Sequence, residues 1–200
     1  MPPESRPYVS AKRDAAAAEK RQQVIAAAAR LLEDGPVMVS MEAVARAAGV
    51  TRLTVYKQFG SRRGLLEAVF DDTARRGGVV RMAEVVHNPD ARAGIHRAVD
   101  ILCEFWGNHP AFAKLHDAAA ADPEFAEALA TRNARRRMAF DALLQRLSGS
   151  DAARAECSDL IFGLTSMAMF RTLGANRTPP QIAATINIAI DAILDVHDLR

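Results

Sequence analysis

Two cysteines, one tryptophan and few aromatic side chains are spread over 200 residues. Cys103 and Cys157 stand far apart with no C-x-x-C spacing, so thiols build neither a disulfide framework nor a zinc cluster. Two buried thiols in a reducing compartment are the simpler expectation. No apolar run approaches the roughly 18 residues that span a bilayer. The opening stretch MPPESRPYVSAKRDAAAAEKRQQ lacks the apolar segment of a secretory signal. A cytoplasmic location with no membrane partner is therefore expected. A phosphate-cradling glycine loop, a G-x-G-x-x-G and a G-x-S-x-G nucleophile turn are all missing, so no cofactor and no catalytic residue is expected.

What the chain does have is helix-forming sequence. Half of its residues are hydrophobic and a quarter charged, and apolar side chains recur three and four apart in nearly every long segment. Charge is unevenly placed. Residues 1–65 hold eleven Lys/Arg against six Asp/Glu, a net +5, and the remainder holds fifteen against eighteen, a net −3. A basic head on a mildly acidic body directs the head at a polyanion.

The expected organisation is a flexible tail (1–14), a basic head (15–60), a linking helix (61–88) and a helical bundle (89–200). In the head, a helix over 15–33 ends at Gly35-Pro36. Ser40 caps a helix over 41–48, Thr51 one over 52–59, and Ser61 a long fourth helix with Gly77-Gly78 in its middle and Asn88-Pro89 at its end. Segments 91–108, 110–121, 123–147, 151–175 and 179–196 follow. The short connections NHP, DP, SGSD and NRTPP imply an antiparallel bundle, for about nine helices in an all-α fold.

The stretch MEAVARAAGVTRLTVYKQF meets the needs of a helix-turn-helix. Val44, Ala48, Val50 and Val55 supply a buried face, Ala45 lets two helices approach, and Gly49 suits the turn. The second helix then presents Thr51, Arg52, Leu53, Thr54, Tyr56, Lys57 and Gln58, whose hydroxyl, guanidinium and ammonium groups bond base edges and phosphates. A plain amphipathic hairpin with a solvated basic face is the alternative, and the charge of the head counts against it.

Extended to MEAVARAAGVTRLTVYKQFGSRRGLLEAVF, the stretch resembles the DNA-binding region of tetracycline-repressor-like (TetR family) regulators. The resemblance covers about residues 20–72; beyond it, only the number and length of the helices correspond. It implies phosphate contacts by Tyr56 and Lys57, with Thr51, Arg52 and Thr54 nearest the base edges. Ser40 and Arg62 occupy positions where the family holds the DNA backbone at helix N-termini. Leu53 stands where the family usually has a small residue, and reads a thymine methyl or packs. Gly64 replaces the acidic residue that would complete a capping box. Phe59 reads as core.

Apolar residues lie nearly all round the last helix, and Ile182, Ile186, Ile190 and Ile193 are its candidate dimer contacts. The middle helices hold Phe105, Trp106, Phe112, Phe140, Met167 and Phe170 beside His109 and His116, the candidate ligand-binding residues. Each alone reads more simply as core or as a satisfied polar group; the resemblance is what implies an effector pocket here, for a mostly apolar or aromatic small molecule. No metal site is expected: Glu84-x-x-His87 lacks the second copy a di-iron centre needs, and the NHP break separates His109 from His116. Arg135-Arg136-Arg137 reads as a solvated face.

The function these features imply is a ligand-responsive, sequence-specific DNA-binding repressor. It would act as a homodimer on an inverted-repeat operator in double-stranded DNA and be released by the effector. Two other classes are a helical small-molecule-binding protein or enzyme with a vestigial DNA head, and an architectural DNA binder without an effector.

Overall fold

The computed structural model describes residues 7–34, 39–121 and 123–200. Among them are eleven α-helices and no strand: α1 Pro7–Asp34, α2 Met41–Ala47, α3 Arg52–Phe59, α4 Arg62–Arg76, α5 Met82–Val85, α6 Ala91–Asn108, α7 Pro110–Ala121, α8 Pro123–Leu144, α9 Asp151–Leu164, α10 Met167–Leu173 and α11 Pro179–Val196. No described helix is long and apolar enough to cross a membrane. The chain divides into two compact units, Met1–Asp72 and Thr73–Arg200. The expected stop at Gly35-Pro36 and the first six residues lie outside the described part. Helix α1 begins at Pro7, so much of the stretch read as a flexible tail is helical.

The first unit is closed by small and β-branched side chains. Val24, Ala28 and Leu32 of α1 are buried with Val44 and Ala45 of α2, Val55 of α3 and Leu65, Leu66 and Val69 of α4. Burying Val55 completely contributes about 1.5–3 kcal/mol and fixes which face of α3 turns outward. Ala48 and Val50 are only half-buried. Phe59 is not core: it is half-buried, and the Arg21 guanidinium lies 4.3 Å above its ring.

Helix α6 is the axis of the second unit. It buries ten residues, from Ala91 to Trp106, and packs on α11 most extensively, then on α8, α5, α7 and α10. Its counterpart stripe on α11 is Ile182, Ile186, Ile190 and Leu194, spaced four apart. Ile182, Ile186 and Ile190 are thus covered by their own chain, contrary to the expectation that they face a second subunit; Ile193 is half-buried.

Two long helices expected from the sequence are interrupted. Helix α4 stops at Arg76, where Gly77 N–H donates to the Thr73 carbonyl at 2.8 Å and Gly78 takes a left-handed φ of 71°. The glycines therefore end a helix rather than soften its middle. The segment expected over 151–175 is split because Thr165 donates its hydroxyl to the Ile161 carbonyl (2.7 Å) and Ser166 accepts from Met169 N–H (3.1 Å), capping α10.

Candidate nucleic-acid interface and ligand region

The turn between α2 and α3 is set by three local devices. Ser40 Oγ accepts from Ala43 N–H at 3.1 Å and starts α2. Gly49 takes φ 66°, and Val50 N–H returns to the Ala45 carbonyl at 3.0 Å. Thr51 Oγ1 then accepts from Thr54 N–H at 3.1 Å and caps α3. Arg62, at the start of α4, donates through Nε to the Val39 carbonyl at 3.0 Å, just before the α2 cap. It thereby positions α2 from within the head. Ser61 Oγ caps α4 through Gly64 N–H (3.1 Å), and a Cβ on Gly64 would strike the Phe59 backbone carbonyl, which accounts for the missing acidic residue.

With Val55 inward, α3 turns Arg52, Leu53, Tyr56 and Lys57 to solvent. Leu53 is 62% exposed, so it is not a packing residue of the head. Arg52 lies 5.3 Å from the Tyr56 ring and reaches the phenolic oxygen at 3.4 Å, which pre-orders a long side chain at the surface. That hydrogen bond is also the first cause holding the guanidinium pKa above its ordinary value, so Arg52 is charged at any relevant pH. The hydroxyls of Thr51 and Thr54 lie 2.9 Å apart and are engaged with each other and with the cap. Gln58 is half-buried rather than presented outward. The outer face thus offers one fork-shaped cation, one apolar group, one phenol and one ammonium, a set suited to base edges and phosphates.

In the second unit the candidate ligand residues form two ring groups. Phe105 meets Phe112 edge-on (4.7 Å) and His109 obliquely (5.1 Å); Trp106 meets Phe170 at 5.5 Å. Phe105, Trp106, Phe112, Phe140 and Met167 are buried, whereas His109, His116 and Phe170 are partly exposed. Burial first, and then the Arg171 cation, push the His116 imidazole below its usual range. Arg171 itself is satisfied, gripping Asp117 through two nitrogens at 2.8 and 3.0 Å.

The arginine run does not form a solvated face. Arg135 is exposed and Arg137 pairs with Asp159, but Arg136 lies inward on the apolar stripe of α8 that also holds Leu129, Phe140 and Leu143. Its guanidinium rests 4.4 Å from the Phe162 ring and donates to the Thr165 carbonyl.

Exposed apolar side chains of the second unit include Val80, Met138 on α8, and three on α9 and α11. Leu160 is partly exposed, Ile188 is 72% and Val196 79% exposed, and Gly163 has open space where a Cβ would stand.

Residues 24–69 match the family of bacterial regulatory proteins called tetR. No curated protein matches the sequence. Solved structures resemble it over nearly the whole chain. A TetR-family transcriptional regulator from a Rhodococcus species superposes with a TM-score of 0.67 at 23% identity, covering 88% of this chain and 99% of its own. A Saccharomonospora viridis regulator bound to choline gives 0.60 at 16%, covering 91% and 98%. The regulator FadR of Bacillus subtilis bound to stearoyl-CoA gives 0.67 at 16%, covering 86% and 96%. At these identities the likenesses establish a shared fold.

Proposed function

We propose, from the premise that its head makes this chain a member of the TetR family of bacterial transcriptional regulators, that it represses transcription as a homodimer on an inverted repeat and leaves DNA when a small organic molecule binds the second unit. The observation that carries this reading is the outer face of α3. A short helix is capped by Thr51, pinned by Val55, and left with Arg52, Leu53, Tyr56 and Lys57 exposed. In this reading Tyr56 and Lys57 take phosphates, Arg52 and Leu53 read base edges, and Ser40 and Arg62 hold the α2 N-terminus toward the backbone.

Dimerisation is assigned to the free apolar surface of α9 and α11 and not to the isoleucines already packed on α6. Ile188 and Val196 supply apolar area, and the open flank of Gly163 lets a second helix approach closely. The effector region is assigned to the ring groups around Phe105 and Trp106. Ligands as different as choline and stearoyl-CoA occupy proteins of this fold, which supports ligand response as the mode and leaves ligand chemistry to this chain's own side chains.

The test is selection of binding sites from random duplexes, followed by affinity measurement over a salt series. The expected result is an inverted repeat with half-site centres about 34–36 Å apart, or a multiple of a helical turn. Equal affinity for every duplex, or tight binding of an isolated half-site by a monomer, would overturn the reading.

A further inference from the structure

Arg136 is a cation placed where a neutral side chain is expected. It interrupts the buried stripe of α8, and among the described residues no carboxylate pairs with it. One of its five N–H groups has an evident structural use: Nη1 donates to the Thr165 carbonyl at the C-terminal end of α9, where a positive charge is favoured. The guanidinium carbon lies over the Phe162 ring. The edge formed by Nε and Nη2 is what remains, and Nε is buried with no acceptor. That edge is the side-on fork with which arginine grips a carboxylate or another oxyanion through two parallel hydrogen bonds.

The energetic position is unusual. Arg136 is half-buried as a residue, but its Nε is withdrawn from solvent with no acceptor, and a donor left so is destabilising unless something compensates it. Desolvation alone pushes the Arg136 pKa down to about 10, with no acid opposing it. The nearby His116 and Arg171 add no compensation, since the imidazole is held toward its neutral form and Asp117 is already spent on Arg171.

We propose that Arg136 is the anion receptor of the second unit, taking through Nε and Nη2 the carboxylate, sulfonate or phosphate head of an amphipathic organic acid. The apolar body of that acid lies among the buried side chains of the unit. The proposal deepens the ligand-response reading above and rests on it only in calling the acid an effector.

Two dyes that differ by one sulfonate test it in the full-length protein without DNA: 8-anilinonaphthalene-1-sulfonate and its neutral parent N-phenyl-1-naphthylamine. Arg136→Met should weaken the sulfonate dye roughly 10- to 150-fold, the range for a hydrogen bond to a charged group. It should leave the neutral dye within about twofold, and Arg136→Lys, which lacks the fork, should recover only part of the loss. An equal loss for both dyes, or none for the sulfonate, overturns the proposal. A second measurement needs no variant. In the wild type, decanoate should displace the bound sulfonate dye and decanol at the same concentration should not; equal displacement by both overturns it. Because no DNA is present, these outcomes stand apart from whether an operator is bound or released.

Discussion

Replacing Gly77 by alanine separates two accounts of the glycine pair by the sign of a stability change. Were Gly77 in the middle of an exposed helix, alanine would stabilise the protein by about 1 kcal/mol. In the structure a Cβ at this position would lie 2.6 Å from Phe105 Cε2 and 2.7 Å from His109 Nε2. The Phe105 ring is 3% exposed and packed edge-on against Phe112, so it has no free side to retreat to. Overpacking of that kind costs about 1–3 kcal/mol. For a chain of this length the loss corresponds to a fall of roughly 2–12 °C in melting temperature. Urea unfolding followed by the fluorescence of Trp106, the sole tryptophan and a buried one, measures it directly. Repeating Gly77→Ala on a Phe105→Leu background removes most of the obstructing ring and should shrink the cost to below about 0.5 kcal/mol, since contacting sites are not additive. A Gly77→Ala protein as stable as the wild type, or more so, would show that the packing argument is wrong.

Lys57→Ala should weaken specific and random DNA alike and lower the salt slope by about one. Arg52→Ala should reduce discrimination between sites by about 1–3 kcal/mol, so equal effects of the two substitutions on the specific-to-random ratio would contradict the roles given them. Ile188→Glu places a charge on the most apolar free surface of α11 and should shift sedimentation toward monomer while leaving the circular-dichroism helix signal unchanged; a dimer that persists moves the interface elsewhere. Gly49→Ala meets no steric obstacle, only the φ of 66°, and should destabilise the protein by about 1–2 kcal/mol, with Gly49→Asn costing less. Burial pushes the Cys103 thiol up to about 12 and Cys157 upward as well, so a thiol reagent at pH 8 should find neither in the native protein and both in denaturant.

Much of the head was readable because its signals are local. Ser40, Thr51 and Ser61 each cap the helix their position implies, and Gly49 makes the expected turn, since such contacts reach only a few residues along the chain. The limits of α6, α7 and α11 were equally plain from Asn88-Pro89 ahead of α6 and from prolines at the first helical positions of α7 and α11. Long-range packing was less legible. An all-round apolar helix such as α11 carries no pattern that says which side meets its own chain, so Ile182, Ile186 and Ile190 pointed equally well to a partner. Arg136 was lost among three consecutive arginines, because composition marks such a run as surface while the helical period places its middle member on the apolar stripe with Leu129, Phe140 and Leu143. The split between α9 and α10 had a signal in Thr165-Ser166, which alanine-, leucine- and methionine-rich flanks outweighed.

The mutual engagement of the Thr51 and Thr54 hydroxyls has a consequence for how much information one α3 can extract from a duplex. The bond between them and the cap leave one hydroxyl proton of the pair uncommitted, so in the proposed complex base edges fall chiefly to Arg52 and Leu53. A guanine and a thymine methyl, each fixed outright, carry about 4 bits per half-site and about 8 over a repeat, whereas one address among ~10⁶ competing sites requires about 20 bits. In the proposed dimer the deficit falls to features that no side chain of α3 touches: the distance between half-sites, which its two-fold symmetry would set, and the stiffness of the sequence between them. Aligned binding sites should therefore show few invariant bases, a rigid spacing, and a composition bias in the untouched centre.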